Sequence, residues 1–269
     1  MREFRLGGRR LVFCQEGAGR PLLLLHGAAA ERDEEEWDHQ WPVLASAGYR
    51  VVFPLRAGRG GSDPDGPVTA AKDARDAWAL LDHLGLQRAV LIGHSAGAAV
   101  ARQMYLTRPE GVEAIVSVDS AAFGKVDFQA GALGPERFDA ATRDLYARHR
   151  EALAAIGREW DYPSDFNVDR LTRLMRWRRA HPGRWGASRG RPDPDDLPVP
   201  EGRWCRVPLL VFAAGRGRVR PGDPEAADLA RRLPGGNAHL EVVTASGHYI
   251  HQEQPEVFNA RLIDFLAGL

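Results

Sequence analysis

The sequence predicts an α/β fold in which a parallel sheet with crossover helices is interrupted by a mainly helical insertion. Three observations predict it. Strand and helix signals alternate from Leu11 to Val118 and resume after Arg206. From Ala122 to about Arg206 no convincing strand signal occurs. The pentapeptide Gly93-His94-Ser95-Ala96-Gly97 stands where an apolar strand meets a helix pattern.

The elements follow in order. Leu11 to Gln15 reads as a strand, Gly17-Ala18-Gly19 as a turn, and Pro21 to Leu25 as an apolar strand. Tyr49 to Pro54 is the next strand. Thr69 to Leu84 places Ala74, Ala77, Trp78, Leu81 and Leu84 on one helical face, and Gly85 ends it. Ala89 to Gly93 is a short buried strand, Ala96 to Leu106 a helix with Pro109 past its end, and Val112 to Val118 a strand. In the insertion, Phe138, Ala141, Leu145, His149, Leu153 and Ile156 mark one amphipathic helix, and Leu171, Leu174, Met175 and Arg178 another. His181 to Pro200 is rich in Pro, Gly, Arg and Asp and reads as a long loop. Val207 to Phe212 is a strand, Pro224 to Leu233 a helix, His239 to Val243 a strand and Glu256 to Leu266 a closing helix. Residues 1–121 and 207–269 thus form the core. Residues 122–206, about 80 in number, are too many for an ordinary connection.

A chain of 269 residues suits one domain carrying such an insertion, and 44% hydrophobic residues suffice for a sizeable core. Lys plus Arg and Asp plus Glu both total 36, which argues against nucleic acid or an anionic membrane as a general partner. The cluster Arg173, Arg176, Arg178 and Arg179 reads as a solvated helix face, and the acidic run Glu31, Asp33, Glu34, Glu35 and Glu36 as a solvated helix start, with Trp37 and Trp41 packing inward. Cys14 and Cys205 lie in apolar surroundings and are expected as buried free thiols. Arg2, Arg5, Arg9 and Arg10 precede no long apolar run, and Leu22 to Leu25 is too short to span a bilayer or form a signal-peptide core. A soluble cytoplasmic protein, monomeric or homodimeric, is expected.

G-x-S-x-G in this strand-to-helix context is a nucleophile motif. The serine must sit on a strained turn where bulky neighbours would clash, so glycine flanks it on both sides. The following helix points its N-terminal N–H groups at developing negative charge. With this motif, His26-Gly27 after a strand, the turn Arg56 to Asp63 (RAGRGGSD), Ser246-Gly247-His248, and Glu253, Pro255 and Phe258 beyond it, the chain resembles the α/β-hydrolase fold family in its serine-nucleophile, capped branch. The resemblance implies a mostly parallel, eight-stranded sheet flanked by helices, with a helical cap inserted after the sixth strand. It implies an oxyanion hole from the backbone N–H groups of Ala28 and Ala96. Ser95 needs a base. Of nine histidines His248 is the best candidate, following a strand and a glycine near the C-terminus in the family's Ser…Asp/Glu…His order. His251 is a less suitable substitute. His94 reads as packing and orientation, and His26 as structural with a part in shaping the oxyanion loop.

The acid departs from the family pattern. Most members carry it after the seventh strand in a segment like G-x-x-D-x-x-x-P, but in Ala214 to Pro221 Gly217 stands where the Asp would be. Asp223 comes next, yet it precedes Pro224 and a helix, as an N-cap does. Asp119, at the end of the sixth strand, is the preferred acid; Asp223 and a dyad without an acid remain alternatives.

A serine suits acyl transfer to water from an ester, lactone, thioester or activated amide. It argues against the dehalogenase and epoxide-hydrolase branches, which use Asp at this position. Trp160, Trp177, Trp185, Trp204, Phe123, Phe128 and Phe166 in and around the insertion mostly form its own core; one or two facing the cleft would favour a hydrophobic or aromatic substrate. Acyltransferase, C–C hydrolase and lyase or cyclase chemistry are alternatives, as is a ligand-binding receptor with little turnover. No His, Cys or acidic cluster shows ligand spacing and no phosphate-binding glycine loop occurs, so no metal or cofactor is expected.

Overall fold

A computed structural model of the chain describes residues 1–27, 35–66, 68–123, 140–155, 196–215 and 224–269, together with positions 166, 169, 172, 173 and 176. It opens on a hairpin. Strands β1 (Arg2–Leu6) and β2 (Arg9–Glu16) pair antiparallel around Gly7 and Gly8, whose φ angles of 56° and 85° suit the tight turn that right-twisted strands demand. β1 was not expected as a strand, because only Phe4 and Leu6 of its five residues are apolar and turned inward, too short a run to stand out.

The remaining elements are β3 (Arg20–Leu25), α1 (Trp41–Ser46), β4 (Tyr49–Pro54), α2 (Ala70–His83), β5 (Ala89–His94), α3 (Ala96–Thr107), β6 (Val112–Val118), α4 (Ala140–Ala155), β7 (Leu209–Ala214), α5 (Pro224–Arg232), β8 (Ala238–Val243), α6 (Ile250–Glu253) and α7 (Pro255–Ala267). Apart from α1 and α6, which the sequence reading did not single out, these match the expected elements to within a few residues. β7 starts two residues late because Pro208 has no N–H to donate to a central ladder. The helix expected around Leu171 to Arg178 is described at 172, 173 and 176 alone, and the loop expected at 181–200 mostly lies outside the described residues.

The eight strands form one sheet in the order β1-β2-β4-β3-β5-β6-β7-β8, with β3 through β8 parallel. Parallel strands covered on both faces need apolar side chains throughout, which is why Leu22, Leu23, Leu24 and Leu25 are all buried. Their alternation feeds two cores. Leu23 and Leu25 pack with Trp78, Leu81, Val100 and Met104 of α2 and α3, and Leu22 and Leu24 pack with Trp37, Leu44, Phe258 and Leu262 on the α1 and α7 face. Each such side chain contributes roughly 1.5–3 kcal/mol of transfer free energy. α2 is capped by Thr69, whose Oγ1 accepts from the Lys72 N–H at 3.2 Å.

Cys205 is buried as expected, whereas Cys14 is half-buried. Arg173 and Arg176 are exposed, and Arg178 and Arg179 lie outside the described residues. Among the described residues, no helix is long and apolar enough to cross a membrane.

Candidate active site

The chain runs from β3 to β4 on one side of the sheet and then to β5 on the other, so β3 and β5 are neighbours at a switch in strand order. In open α/β sheets the carboxyl ends of the strands at such a switch are where ligands bind. Gly27 follows β3 and Ser95 follows β5.

Ser95 has φ 51° and ψ −114°, a conformation rare for a residue with a side chain. Its neighbours allow it. A Cβ on Gly93 would lie 2.5 Å from the Gly97 carbonyl oxygen, and one on Gly97 2.1 Å from the Leu25 carbonyl oxygen. The turn is held by the Ser95 N–H, which donates to the Val118 carbonyl at 2.9 Å, and by the Ser120 hydroxyl, which donates to the Ser95 carbonyl at 2.7 Å. Ala96 is the first residue of α3, where N–H groups have no partner within the helix.

Asp119 directly follows β6, with φ 43° in the left-handed region. Its N–H donates to Phe212 O at 2.9 Å and its Oδ1 accepts from the Ala214 N–H at 3.1 Å, so it is anchored to β7 on both sides of its peptide and side chain. Its Oδ2 lies 2.6 Å from Nδ1 of His248, which follows β8. Asp119 is 3% exposed and His248 23%, so the carboxylate is sequestered while the imidazole reaches the surface of the cleft. A carboxylate acceptor at Nδ1 places that proton on Nδ1 and leaves Nε2 to accept another.

The loop bearing His248 is clamped from below. Glu253 accepts from the Gly247 N–H at 3.0 Å and the Tyr249 N–H at 3.3 Å, one on each side of the histidine. His94 Nε2 lies 3.0 Å from the His248 carbonyl oxygen, and the two rings are 4.6 Å apart.

The segment leading from β3 is equally fixed. The Arg56 N–H donates to His26 Nε2 at 3.2 Å, which leaves Nδ1–H of His26 to donate to the Gly27 carbonyl at 3.0 Å. The Arg56 guanidinium also donates to the Gly27 carbonyl and to Asp73 at 3.1 Å. Burial raises the pKa of Asp73, and Arg56 opposes the rise. In the Arg56 to Asp63 turn the Ser62 hydroxyl donates to Leu55 O at 2.7 Å and accepts from the Val12 N–H at 2.9 Å.

Glu36 corrects the sequence reading. The acidic run was expected to be solvated, yet Glu36 is 1% exposed. Its Oε1 accepts from the Gly27 N–H at 2.6 Å and lies 2.9 Å from His94 Nδ1. Glu31, Asp33 and Glu34 lie outside the described residues. Periodicity hid Glu36 because its partner is 58 residues away in sequence. Trp37 is buried as expected and Trp41 half-buried. His251 is buried against Trp37, ring centroids 4.4 Å apart, so it is placed as packing rather than as a base.

Glu36, His94 and His251 present one potential ligand atom each within 4.8 Å of one another, a group not anticipated from spacing. One carboxylate and two imidazoles suit zinc or iron by type. Here, however, Glu36 Oε1 already takes the Gly27 N–H and faces His94 Nδ1 at hydrogen-bonding distance. Ala28, expected as an oxyanion donor, and Asp223, the alternative acid, lie outside the described residues. Trp160, Trp177, Trp185 and Phe128 also lie outside them. Phe123 and Trp204 stack at 5.7 Å against the α2–α3 core.

Residues 20–255 match the model of the alpha/beta hydrolase fold family, and the chain belongs to that family of enzymes. Among its relatives, a putative non-heme chloroperoxidase of Synechocystis sp. is 28% identical over 93% of this chain and 92% of its own. Epoxide hydrolase A of Mycobacterium tuberculosis is 26% identical over 97% of this chain and 95% of its own. Among solved structures, a thermophilic esterase from Thermogutta terrifontis superposes with a TM-score of 0.69 at 24% identity, covering 99% of this chain and 96% of that one, a likeness of fold.

Proposed function

We propose that the protein is a serine hydrolase that cleaves an ester or lactone by acyl transfer from Ser95 to water. The observation that carries this reading is the 2.6 Å hydrogen bond between Asp119 and His248 beside a serine held at positive φ on a strand-to-helix turn. Ser95 Oγ attacks the acyl carbon as His248 Nε2 takes its proton. Asp119 holds the imidazole in the required tautomer and stabilises the imidazolium. The N–H groups of Ala28 and Ala96 receive the oxyanion, helped by the positive end of α3. The imidazolium protonates the leaving alkoxide, and His248 then activates water to release the acid.

A serine at this position disfavours the alkyl-ester chemistry that an epoxide hydrolase performs through Asp. We further propose that 122–206 is a cap over the cleft and that the substrate is a small hydrophobic or aromatic molecule. Phe166 of that segment packs edge-on against Tyr249, the residue after His248, with centroids 5.8 Å apart, which supports an aromatic wall beside the catalytic loop.

A fluorophosphonate probe should label Ser95, and a panel of p-nitrophenyl esters and lactones should reveal turnover. Ser95→Ala should lower kcat by about 10⁴ to 10⁶ while the protein stays folded. Retained activity in a folded Ser95→Ala protein, or a wild-type Ser95 inert to the probe, would sink the reading.

A further inference from the structure

Three hydrogen bonds run in series behind the nucleophile. The Gly27 N–H donates to Glu36 Oε1 at 2.6 Å, Glu36 Oε1 meets His94 Nδ1 at 2.9 Å, and His94 Nε2 meets the His248 carbonyl oxygen at 3.0 Å. Each link belongs to a different part of the site: the loop after β3, the elbow after β5 and the histidine loop after β8. The proton count follows from the acceptors. A carbonyl oxygen only accepts, so His94 Nε2 must carry hydrogen. A second proton must lie between Nδ1 and Oε1, since two lone pairs at that distance would repel. Two protons on this pair leave it with no net charge, whether drawn as carboxylate and imidazolium or as carboxylic acid and imidazole.

Both side chains are 1% exposed, and a net charge at that depth would cost several kcal/mol. Burial also lowers the pKa of His94, against the pull of Glu36, which favours the neutral drawing. Among the described residues, the rings of His248 at 4.6 Å, His251 at 4.7 Å and Tyr249 at 4.9 Å between centroids also pack on His94, and the Asp119 carboxylate adds to the pull of Glu36. The fit is close, because a Cβ on Gly27 would lie 2.9 Å from His94 Nδ1.

We propose that Glu36 and His94 form a net-neutral, proton-sharing positioning pair that sets the oxyanion loop at Gly27 and the backbone of His248 at fixed places relative to Ser95. This rests on the serine-hydrolase reading above. Neither residue touches the reacting atoms. Their effect is to hold two halves of the machinery, drawn from opposite sides of the elbow, in one geometry. The pair needs an atom that can accept from Gly27 and also share a proton with an imidazole, which a carboxyl oxygen does and an amide does not. In Glu36→Gln one link must break. If the amide oxygen serves both Gly27 and Nδ1–H, neutral His94 presents a bare Nε2 to the His248 carbonyl. If the amide nitrogen faces Nδ1, the Gly27 N–H loses its acceptor.

The test has two arms. The first is ¹⁵N NMR of the wild-type protein with labelled histidine rings, the His94 signals assigned by their loss in His94→Asn. His94 Nε2 should keep its proton and neither ring ¹⁵N signal should titrate from about pH 6 to about pH 9, a window that contains the midpoint of a free imidazole. A bare Nε2 overturns the proposal, as does a metal ion in the purified protein that shifts the Nδ1 signal. The second arm is the kinetics of Glu36→Gln, for which kcat should fall roughly tenfold to hundredfold, the scale of a misplaced catalytic group, with KM changed less than about threefold. Unchanged kcat in the folded variant overturns the proposal, and if the variant does not fold the NMR arm decides. Fluorophosphonate labelling of wild-type Ser95 separates the two readings. An inert Ser95 removes the serine mechanism, whereas a reactive Ser95 with a bare His94 Nε2 removes only the pair.

Discussion

Asp119 and His248 meet across the end of a strand that carries neither of them. Asp119 follows β6 and His248 follows β8, and the intervening β7 ends in Ala214, whose N–H donates to the same carboxylate at 3.1 Å. One oxygen therefore fixes the carboxylate to the sheet while the other faces the imidazole at 2.6 Å.

Asp119→Asn should lower kcat by about 10⁴, the cost of the equivalent change in a serine protease, because the amide can hold histidine in the wrong tautomer. The substitution preserves volume, so far-ultraviolet circular dichroism should be unchanged. Activity within a few-fold of wild type would move the acid role elsewhere, with Asp223→Asn as the paired measurement.

Glu253 receives the N–H groups on both sides of His248. Glu253→Ala frees that loop, and kcat should drop by roughly ten- to a hundredfold with a smaller change in KM. Steady-state kinetics on any ester that the wild type turns over would check this; equal kcat in the two proteins contradicts it.

Gly97→Ala tests the elbow sterically. The added Cβ would stand 2.1 Å from the Leu25 carbonyl oxygen and 2.7 Å from that of His26, both backbone atoms that cannot swing aside. The loss in stability should reach or exceed the ~1–3 kcal/mol typical of overpacking, read from the urea midpoint. A midpoint equal to the wild type's would mean that the turn has slack.

The thiols should differ in reactivity. Burial pushes the Cys205 pKa up to about 11, whereas Cys14 is only half-buried. Iodoacetamide at about pH 8 acts on the thiolate, so peptide mapping should find Cys14 alkylated well before Cys205 in the native protein. Comparable labelling rates would contradict the burial of Cys205.

Much of this architecture could be read from local sequence. The Leu22 to Leu25 run, the helix stripe around Trp78 and the elbow pentapeptide each carry their meaning within a few residues. The contact of Asp119 with His248 was legible by a subtler route, since Gly217 stands where most family members carry the carboxylate. Glu36 was not legible, because what turns one acid of a charged run inward is the Gly27 N–H and the His94 ring, and neither leaves a local signature. β1 escaped notice for a simpler reason: its alternation rests on Phe4 and Leu6 alone, too few residues to register as a strand. Nothing in the described residues bears on Ala28 or Asp223.

The order of these groups along the chain has a consequence for how such a protein can change. Ser95 and Asp119 both precede the long segment between β6 and β7, and His248 lies on the far side of it, on a loop held by Glu253 and His94. Lengthening, shortening or exchanging residues 122–206 therefore leaves the number of residues between Ser95 and Asp119 unchanged. A carboxylate after β7 would instead have that segment between it and the serine along the chain. Under the proposed function, grafting the corresponding stretch of another family member onto this chain should change the molecule recognised while Ser95 and Asp119 stay on the unaltered side of the graft, a division of labour that follows from the placement of one aspartate.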